Sequence, residues 1–132
     1  MTINKKRSKK IKRQVESVTV HVQSTFNNTI VSITTSEGDV LLRKSAGALG
    51  FTGARKGTPF AASQVAAALV KDMMPFGVKT MDINLKGPGN GRDSVVKAFS
   101  QAAQASGFGI TALRDVTPLP HNGPRPPKKR RV

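Results

Sequence analysis

The sequence predicts an α/β fold in one domain. An antiparallel meander and two following βα units share a mixed sheet, and basic extensions flank the domain. Three observations carry this expectation. The 132 residues are enough for one domain with a core and little else. Apolar residues alternate along three short segments near the start, joined by short polar turns. Beyond them the pattern becomes strand, helix, strand, helix, strand, which calls for right-handed parallel crossovers.

VTVHVQST (Val18–Thr25) sets Val18, Val20 and Val22 on one face and Thr19, His21 and Gln23 on the other, the pattern of a half-buried strand. FNN (Phe26–Asn28) turns the chain, and TIVSITT (Thr29–Thr35) returns it with Val31 and Ile33 inward. SEGD (Ser36–Asp39) turns again into a third strand, VLLRKS (Val40–Ser45). Links this short imply antiparallel neighbours.

AGALGFTGARKGTP (residues 46–59) holds four Gly and no hydrophobic period, so it reads as a loop. Thr58 and Pro59 then open a helix, Thr as its cap and Pro in its first turn. The helix is predicted to run to about Met74, with an apolar stripe of Phe60, Ala62, Val65, Ala66, Leu69, Val70 and Met73. Its many Ala permit close approach to a sheet, and Pro75 and Gly77 stop it. In VKTMDINLK (Val78–Lys86) alternation returns, with Met81, Ile83 and Leu85 inward.

The Gly-rich KGPGNGRDS (Lys86–Ser94) leads into a second helix over DSVVKAFSQAAQASG, with Val95, Ala98, Phe99 and Ala102 on one face. Gly107 and Gly109 end it. ITALRDV (Ile110–Val116) is the last strand, and tail begins at Pro118. The expected organisation is a basic arm over 1–14, a globular domain over 15–117 and a basic, Pro-rich tail over 118–132.

Charge divides the same way. The net charge is +15. Lys5, Lys6, Arg7, Lys9, Lys10, Lys12 and Arg13 stand in the N-terminal arm, and Arg125, Lys128, Lys129, Arg130 and Arg131 in the tail, with no acid in either. These twelve leave ten of the 22 basic residues for the middle, against all seven acids. The middle is thus nearly balanced. The arms repel themselves and stay extended until a polyanion neutralises them. Nucleic acid is the obvious polyanion.

Several classes drop out. No run approaches the ~18 apolar residues of a membrane span, so no membrane partner is expected. The first thirteen residues hold no apolar segment of signal-peptide length. Without Cys, disulfides and thiolate metal sites are excluded. His21 and His121 stand far apart without ligand partners, so neither a metal nor any other cofactor is expected. The acids are scattered over turns and helix ends and form no paired-carboxylate or Ser/His/Asp arrangement, so the chain is not expected to be an enzyme. Trp and Tyr are absent, which removes a sheet lined with stacking aromatics and points to recognition mainly through backbone and shape.

Three segments are candidates for contact with a polynucleotide. Lys86, Gly87, Pro88, Gly89, Asn90, Gly91 and Arg92 lie between a strand and a helix start. Backbone N–H groups there can face a phosphate, and missing side chains let it approach. The Gly-Lys-Ser/Thr ending of a nucleotide P-loop is absent, and the spacing is not the dinucleotide fingerprint. A plain βα connection is the competing reading. GARKGTP, with Gly53, Arg55 and Lys56, repeats the combination before the other helix, and a solvated loop competes there. Phe26, Asn27 and Asn28 read equally as a plain hairpin turn or as an exposed ring and two amides meeting a base or sugar.

The tail HNGPRPPKKRRV (His121–Val132) fits a nuclear-import signal as well as a nucleic-acid patch. Its prolines keep it extended, lowering the entropic cost of docking. Asn122-Gly123 leaves the Asn side chain open to attack by the next backbone N–H, so succinimide and isoaspartate formation is expected there.

FNNTIV (Phe26–Val31), GxRKxTPFAA (Gly53–Ala62), KGPGxGRDS (Lys86–Ser94) and DVTPLPHNGPRPPKKRRV (Asp115–Val132) occur in this order. Together they resemble the family of the eleventh protein of the small ribosomal subunit, in its bacterial or bacterial-derived organellar form. The resemblance runs from about residue 15 to the end. It implies a ribonuclease-H-like arrangement without nuclease activity. It also implies a place on the subunit platform, against small-subunit rRNA hairpin loops and near the messenger RNA exit path. Expected neighbours are the sixth, eighteenth and twenty-first small-subunit proteins, with the seventh across the exit channel. No homo-oligomer is expected. The ribosome would be that of a bacterial cytoplasm or of an organelle, plastid or mitochondrion. RNA contacts are implied for the candidates above and, in the tail, for His121, Asn122, Gly123 and the five basic residues. Two departures stand out: Pro124 replaces the Cys of most bacterial relatives, and the second helix runs about one turn longer.

Two other readings use the same residues. A DNA-binding or nuclear-targeted protein would use the charge, but a chromatin tail has no need of KGPGNGRDS. A nuclease would need clustered carboxylates holding metal, whereas Asp82 is expected opposite Met81 and Ile83.

Overall fold

The structure, a computed structural model, describes residues 15–131. The basic arm expected over 1–14, with Lys5 to Arg13, lies outside the described residues. Five strands, β1 (Ser17–Ser24), β2 (Thr29–Thr35), β3 (Val40–Ser45), β4 (Thr80–Lys86) and β5 (Gly109–Asp115), form one sheet in the order β3-β2-β1-β4-β5. β1–β2 and β2–β3 are antiparallel; β1–β4 and β4–β5 are parallel. This is the predicted meander followed by parallel crossovers. Helix α1 (Pro59–Met73) connects β3 to β4, and α2 (Arg92–Ser106) connects β4 to β5.

Both crossovers move the same way across the sheet, so right-handedness puts both helices on one face. There α1 packs against α2. The alternation seen in the sequence sets what the sheet offers them. Val18, Val20 and Val22 are buried, as are Val31, Ile33, Met81, Ile83 and Leu85. Facing them are Ala61, Ala62, Val65, Ala66, Leu69 and Met73 of α1 and Val95 and Phe99 of α2. The opposite face is polar. His21 Nε2 lies 3.2 Å from the Thr34 hydroxyl there. Asp82 accepts a hydrogen bond from Thr111 and pairs with Arg114 at 3.7 Å.

Thr58 caps α1 as expected, its hydroxyl accepting from the Ala61 N–H at 3.3 Å, with Pro59 in the first turn. Gly107 ends α2 in the left-handed conformation at φ 83°.

Two expectations need correction. Phe60 is not in the core: it is 64 % exposed. The inward stripe of α1 centres on Ala61/Ala62, Val65/Ala66 and Leu69, which turns position 60 to the flank. There its ring meets Phe51 edge-to-face with centroids 6.1 Å apart. The segment over 46–59 is also more ordered than a loop. It holds 3-10 turns at Gly47–Leu49 and Gly53–Gly57, with Ala46 buried and Leu49 and Phe51 half-buried. Its short apolar stretches anchor single turns, too brief to show a period.

Candidate nucleic-acid interface

The strand directions decide what comes together. β1, β3, β4 and β5 run parallel to one another, so their C-terminal ends share one edge of the sheet. From that edge spring the FNN turn, the 46–58 segment, the Gly-rich loop and the tail, and both helices start there. Aligned peptide dipoles leave partial positive charge at those two starts. Glu16, Glu37 and Asp39 lie at the opposite edge, before β1 or in the β2–β3 turn.

The FNN turn is tightly built. The Thr25 N–H donates to the Asn28 carbonyl at 2.9 Å, and the Asn28 N–H donates to the Thr25 hydroxyl at 3.0 Å. The Asn28 side-chain oxygen accepts from the Thr29 N–H at 2.9 Å. Asn28 is therefore engaged internally, while Phe26 and Asn27 are exposed at the tip.

Glycines hold the neighbouring loops against this turn. A Cβ on Gly57 would strike the Phe26 carbonyl oxygen, and one on Gly89 would strike the Ser24 hydroxyl and the Thr25 carbonyl. At Gly91 a Cβ would come within 2.6 Å of Thr29 Oγ1 and 2.7 Å of the Ala62 Cβ. The Gly89 N–H donates to the Ser24 carbonyl at 3.1 Å. These glycines bring the two helix starts close to each other and to the end of β1.

Arg92 is committed to a clamp. It donates to the Gly87 carbonyl at 3.1 Å and to Asp115 at 2.6 Å. The Asp115 carboxylate also accepts from the Thr117 hydroxyl at 2.6 Å and from the Thr117 N–H at 3.1 Å. Thr117 Oγ1 in turn accepts from the Gly87 N–H at 3.1 Å. The bond from the Thr117 side chain, then that from Arg92, holds the Asp115 pKa down at about 2. The ring of bonds pins the root of the tail to the Gly-rich loop, and the Val116 N–H adds a bond to the Leu85 carbonyl at 2.7 Å.

The remaining candidates lie outward. Arg55, Lys86 and Pro88 are exposed and Lys56 is half-buried. α2 starts at Gly91 with no side-chain cap on its first-turn N–H groups. In the tail, His121, Asn122, Gly123, Arg125, Lys128, Lys129, Arg130 and Arg131 are all exposed. Asn122 adopts φ 63°, and Gly123 packs on Pro120, so the tail turns once before running on.

Residue types alone did not single out Ser24, Gly57, Asp115 or Thr117. The Asp-Val-Thr-Pro string is the available signal for the last two, since Asp two residues before Thr closes a local hydrogen-bonded turn. Among the described residues no group of three or more His, Asp or Glu could hold a metal ion, and no helix is long and apolar enough to cross a membrane.

The model of one protein family, described as Ribosomal protein S11, matches residues 18–131. The chain belongs to that family. It is a small-subunit ribosomal protein, an rRNA-binding part of the ribonucleoprotein that carries out translation, and the family is structural rather than enzymatic.

Proposed function

We propose that this member of the ribosomal protein S11 family sits on the platform of the small subunit. There it binds rRNA through the loop edge of its sheet and helps shape the messenger RNA exit region. One observation carries the reading: three loops, two helix starts and the root of a basic tail converge on a single edge. The domain over 15–117 sets orientation, and the arms over 1–14 and 118–132 neutralise phosphates between RNA helices. Arg55, Lys56 and Lys86 bring cations to the edge, and the uncapped first turn of α2, just after the Gly-rich loop, brings backbone N–H groups. Arg92 acts one step back by fixing that loop. Neighbours in this reading are the sixth, eighteenth and twenty-first small-subunit proteins, with the seventh across the channel. The ribosome is bacterial or organellar.

Binding of the full chain to small-subunit rRNA across a salt series tests this. With six to ten Lys/Arg on phosphates, affinity falls on the order of 10³–10⁵-fold between 50 and 200 mM salt. A flat response would overturn it.

A further inference from the structure

The FNN tip holds a feature that charge does not explain. Phe26 is 72 % exposed, on the turn that sits between the two helix starts. Burial of an aromatic ring is worth several kcal/mol (roughly 1.5–3), yet this turn keeps the ring in solvent. The bonds between Thr25, Asn28 and Thr29 fix the turn, and Gly57 and Gly89 pack against the carbonyls of Phe26 and Thr25. The ring is therefore presented on a rigid support. Phe60, the other strongly exposed ring, differs: it leans on Phe51 in a groove with Leu49, Ala67 and Ala68.

What surrounds Phe26 defines its occupant. Asn27 offers an exposed amide beside it. Arg55 and Lys56 precede one helix start, and the uncapped N–H groups of α2 form the other. Of the acids at this edge, Asp115 is neutralised by Arg92, and Asp93 is the other, on the first turn of α2. A flat apolar ring flanked on two sides by anion-binding groups matches one nucleotide unit: a base between two phosphates. Only an unpaired, unstacked base exposes its face to such a ring.

We propose that Phe26 is the stacking platform for one unpaired RNA base, with its flanking phosphates at the starts of α1 and α2. This rests on the RNA-binding reading above and adds the kind of nucleotide recognised. It also sharpens the expectation of recognition mainly through backbone and shape, since a single aromatic ring suffices for one base.

The chain has neither Trp nor Tyr, so Phe26→Trp places a unique fluorophore at the tip. The probes are an RNA hairpin with an adenosine loop and a blunt duplex of the same stem. Stacking quenches the Trp emission with the hairpin and leaves it unchanged with the duplex. Phe26→Leu, at an exposed position where the fold is unaffected, weakens hairpin binding on the order of 10- to 100-fold and leaves the salt slope unchanged. Equal quenching by both RNAs, or a Phe26→Leu chain that binds the hairpin like wild type, would sink the stacking proposal. If the wild-type chain still binds with steep salt dependence in that case, the RNA reading stands. If wild type binds neither RNA, both fall together. Undiminished RNA binding by Phe26→Leu, with loss of a protein neighbour from assembled subunits, would give the ring to a protein and overturn the proposal.

Discussion

Arg92 donates to the Asp115 carboxylate across 2.6 Å, joining the first residue of α2 to the last residue of β5. With Gly87 and Thr117 it closes a ring of hydrogen bonds around the point where the tail leaves the domain. The helix start, the Gly-rich loop and the tail root are thereby one mechanical unit. A displacement of any of them is felt by the others.

The ring makes Asp115 a pH reporter. Its pKa is lowered from 3.8 to about 2, so the folded chain favours the carboxylate. The linked stability is fully present above pH 3.8 and is lost as pH falls through about 2. A carboxyl-carbon NMR titration should find the Asp115 midpoint near the lower value. Thr117→Val and Arg92→Ala should each move it up, because the Thr117 hydroxyl and then the Arg92 guanidinium hold it down. An unmoved midpoint in either variant would remove that side chain from the causes.

Gly89→Ala should be strongly destabilising, by about 1–3 kcal/mol or more, because the new methyl meets the Ser24 hydroxyl and the Thr25 backbone together. Adding Ser24→Ala removes only the first clash, so it should rescue only part of the loss. Gly109→Ala is the control: a Cβ there meets open space. Urea denaturation of the three variants measures the contrast, and equal midpoints for Gly89→Ala and Gly109→Ala would refute the packing account.

Much of this was legible in the sequence, for reasons that particular residues make plain. Val18, Val20 and Val22 announce their strand because one face meets the helices and the other stays polar. Thr58-Pro59 announces a helix start because capping is local chemistry. Phe60 misled because its spacing fits the helical period, while the inward stripe is set by where Ala61 and Ala62 meet the sheet. The clamp was illegible for a different reason. Arg92 and Asp115 are 23 positions apart and meet only because β4 and β5 end at the same edge. Gly89 stands in a loop whose missing side chains suggest an anion approaching from outside, whereas its packing partner is Ser24 within the domain.

Thr29→Val should cost little or add stability. The Thr29 hydroxyl is fully buried and makes no hydrogen bond among the described residues. An apolar group of the same shape avoids the cost of an unpaired buried hydroxyl, on the order of 1–3 kcal/mol. A thermal melt lowered by many degrees would mean that this hydroxyl has a partner in the folded protein.

Phe99→Ala addresses the core directly. Phe99 is the largest fully buried side chain and sits where α2 meets the sheet. Truncation should cost about 3–5 kcal/mol through lost transfer energy and the cavity left behind. Phe60→Ala, at the exposed flank, should cost far less. Parallel denaturation curves separate the two, and similar losses would restore Phe60 to the core.

The tail gives a charge-counting prediction. Ending the chain at Thr117 removes five Lys/Arg and leaves the clamp residues in place. If each tail cation neutralises one phosphate, the log–log salt slope of rRNA binding should shrink by about 4. Replacing the five by Gln in the full chain should do the same, which separates charge from chain length. An unchanged slope would mean that the tail does not reach RNA.

The turn within that tail bears on its chemistry. Asn122 is held at φ 63°, and Gly123 lacks the side chain that would shield the backbone N–H following Asn122. That nitrogen can attack the Asn122 side-chain carbonyl carbon, expelling ammonia and closing a succinimide. Water then opens the ring to an aspartyl or isoaspartyl link. Either product puts a negative charge into a tail whose charged residues are otherwise all basic, and the isoaspartyl form also lengthens the backbone by one carbon. Aged free protein should therefore accumulate isoaspartate at position 122 and lose rRNA affinity in step. Asn122→Gln should keep its affinity on ageing, because its longer side chain closes the corresponding ring slowly. Peptide mapping of aged samples beside binding curves is the measurement. Equal loss of affinity in Asn122→Gln would place the damage elsewhere in the chain.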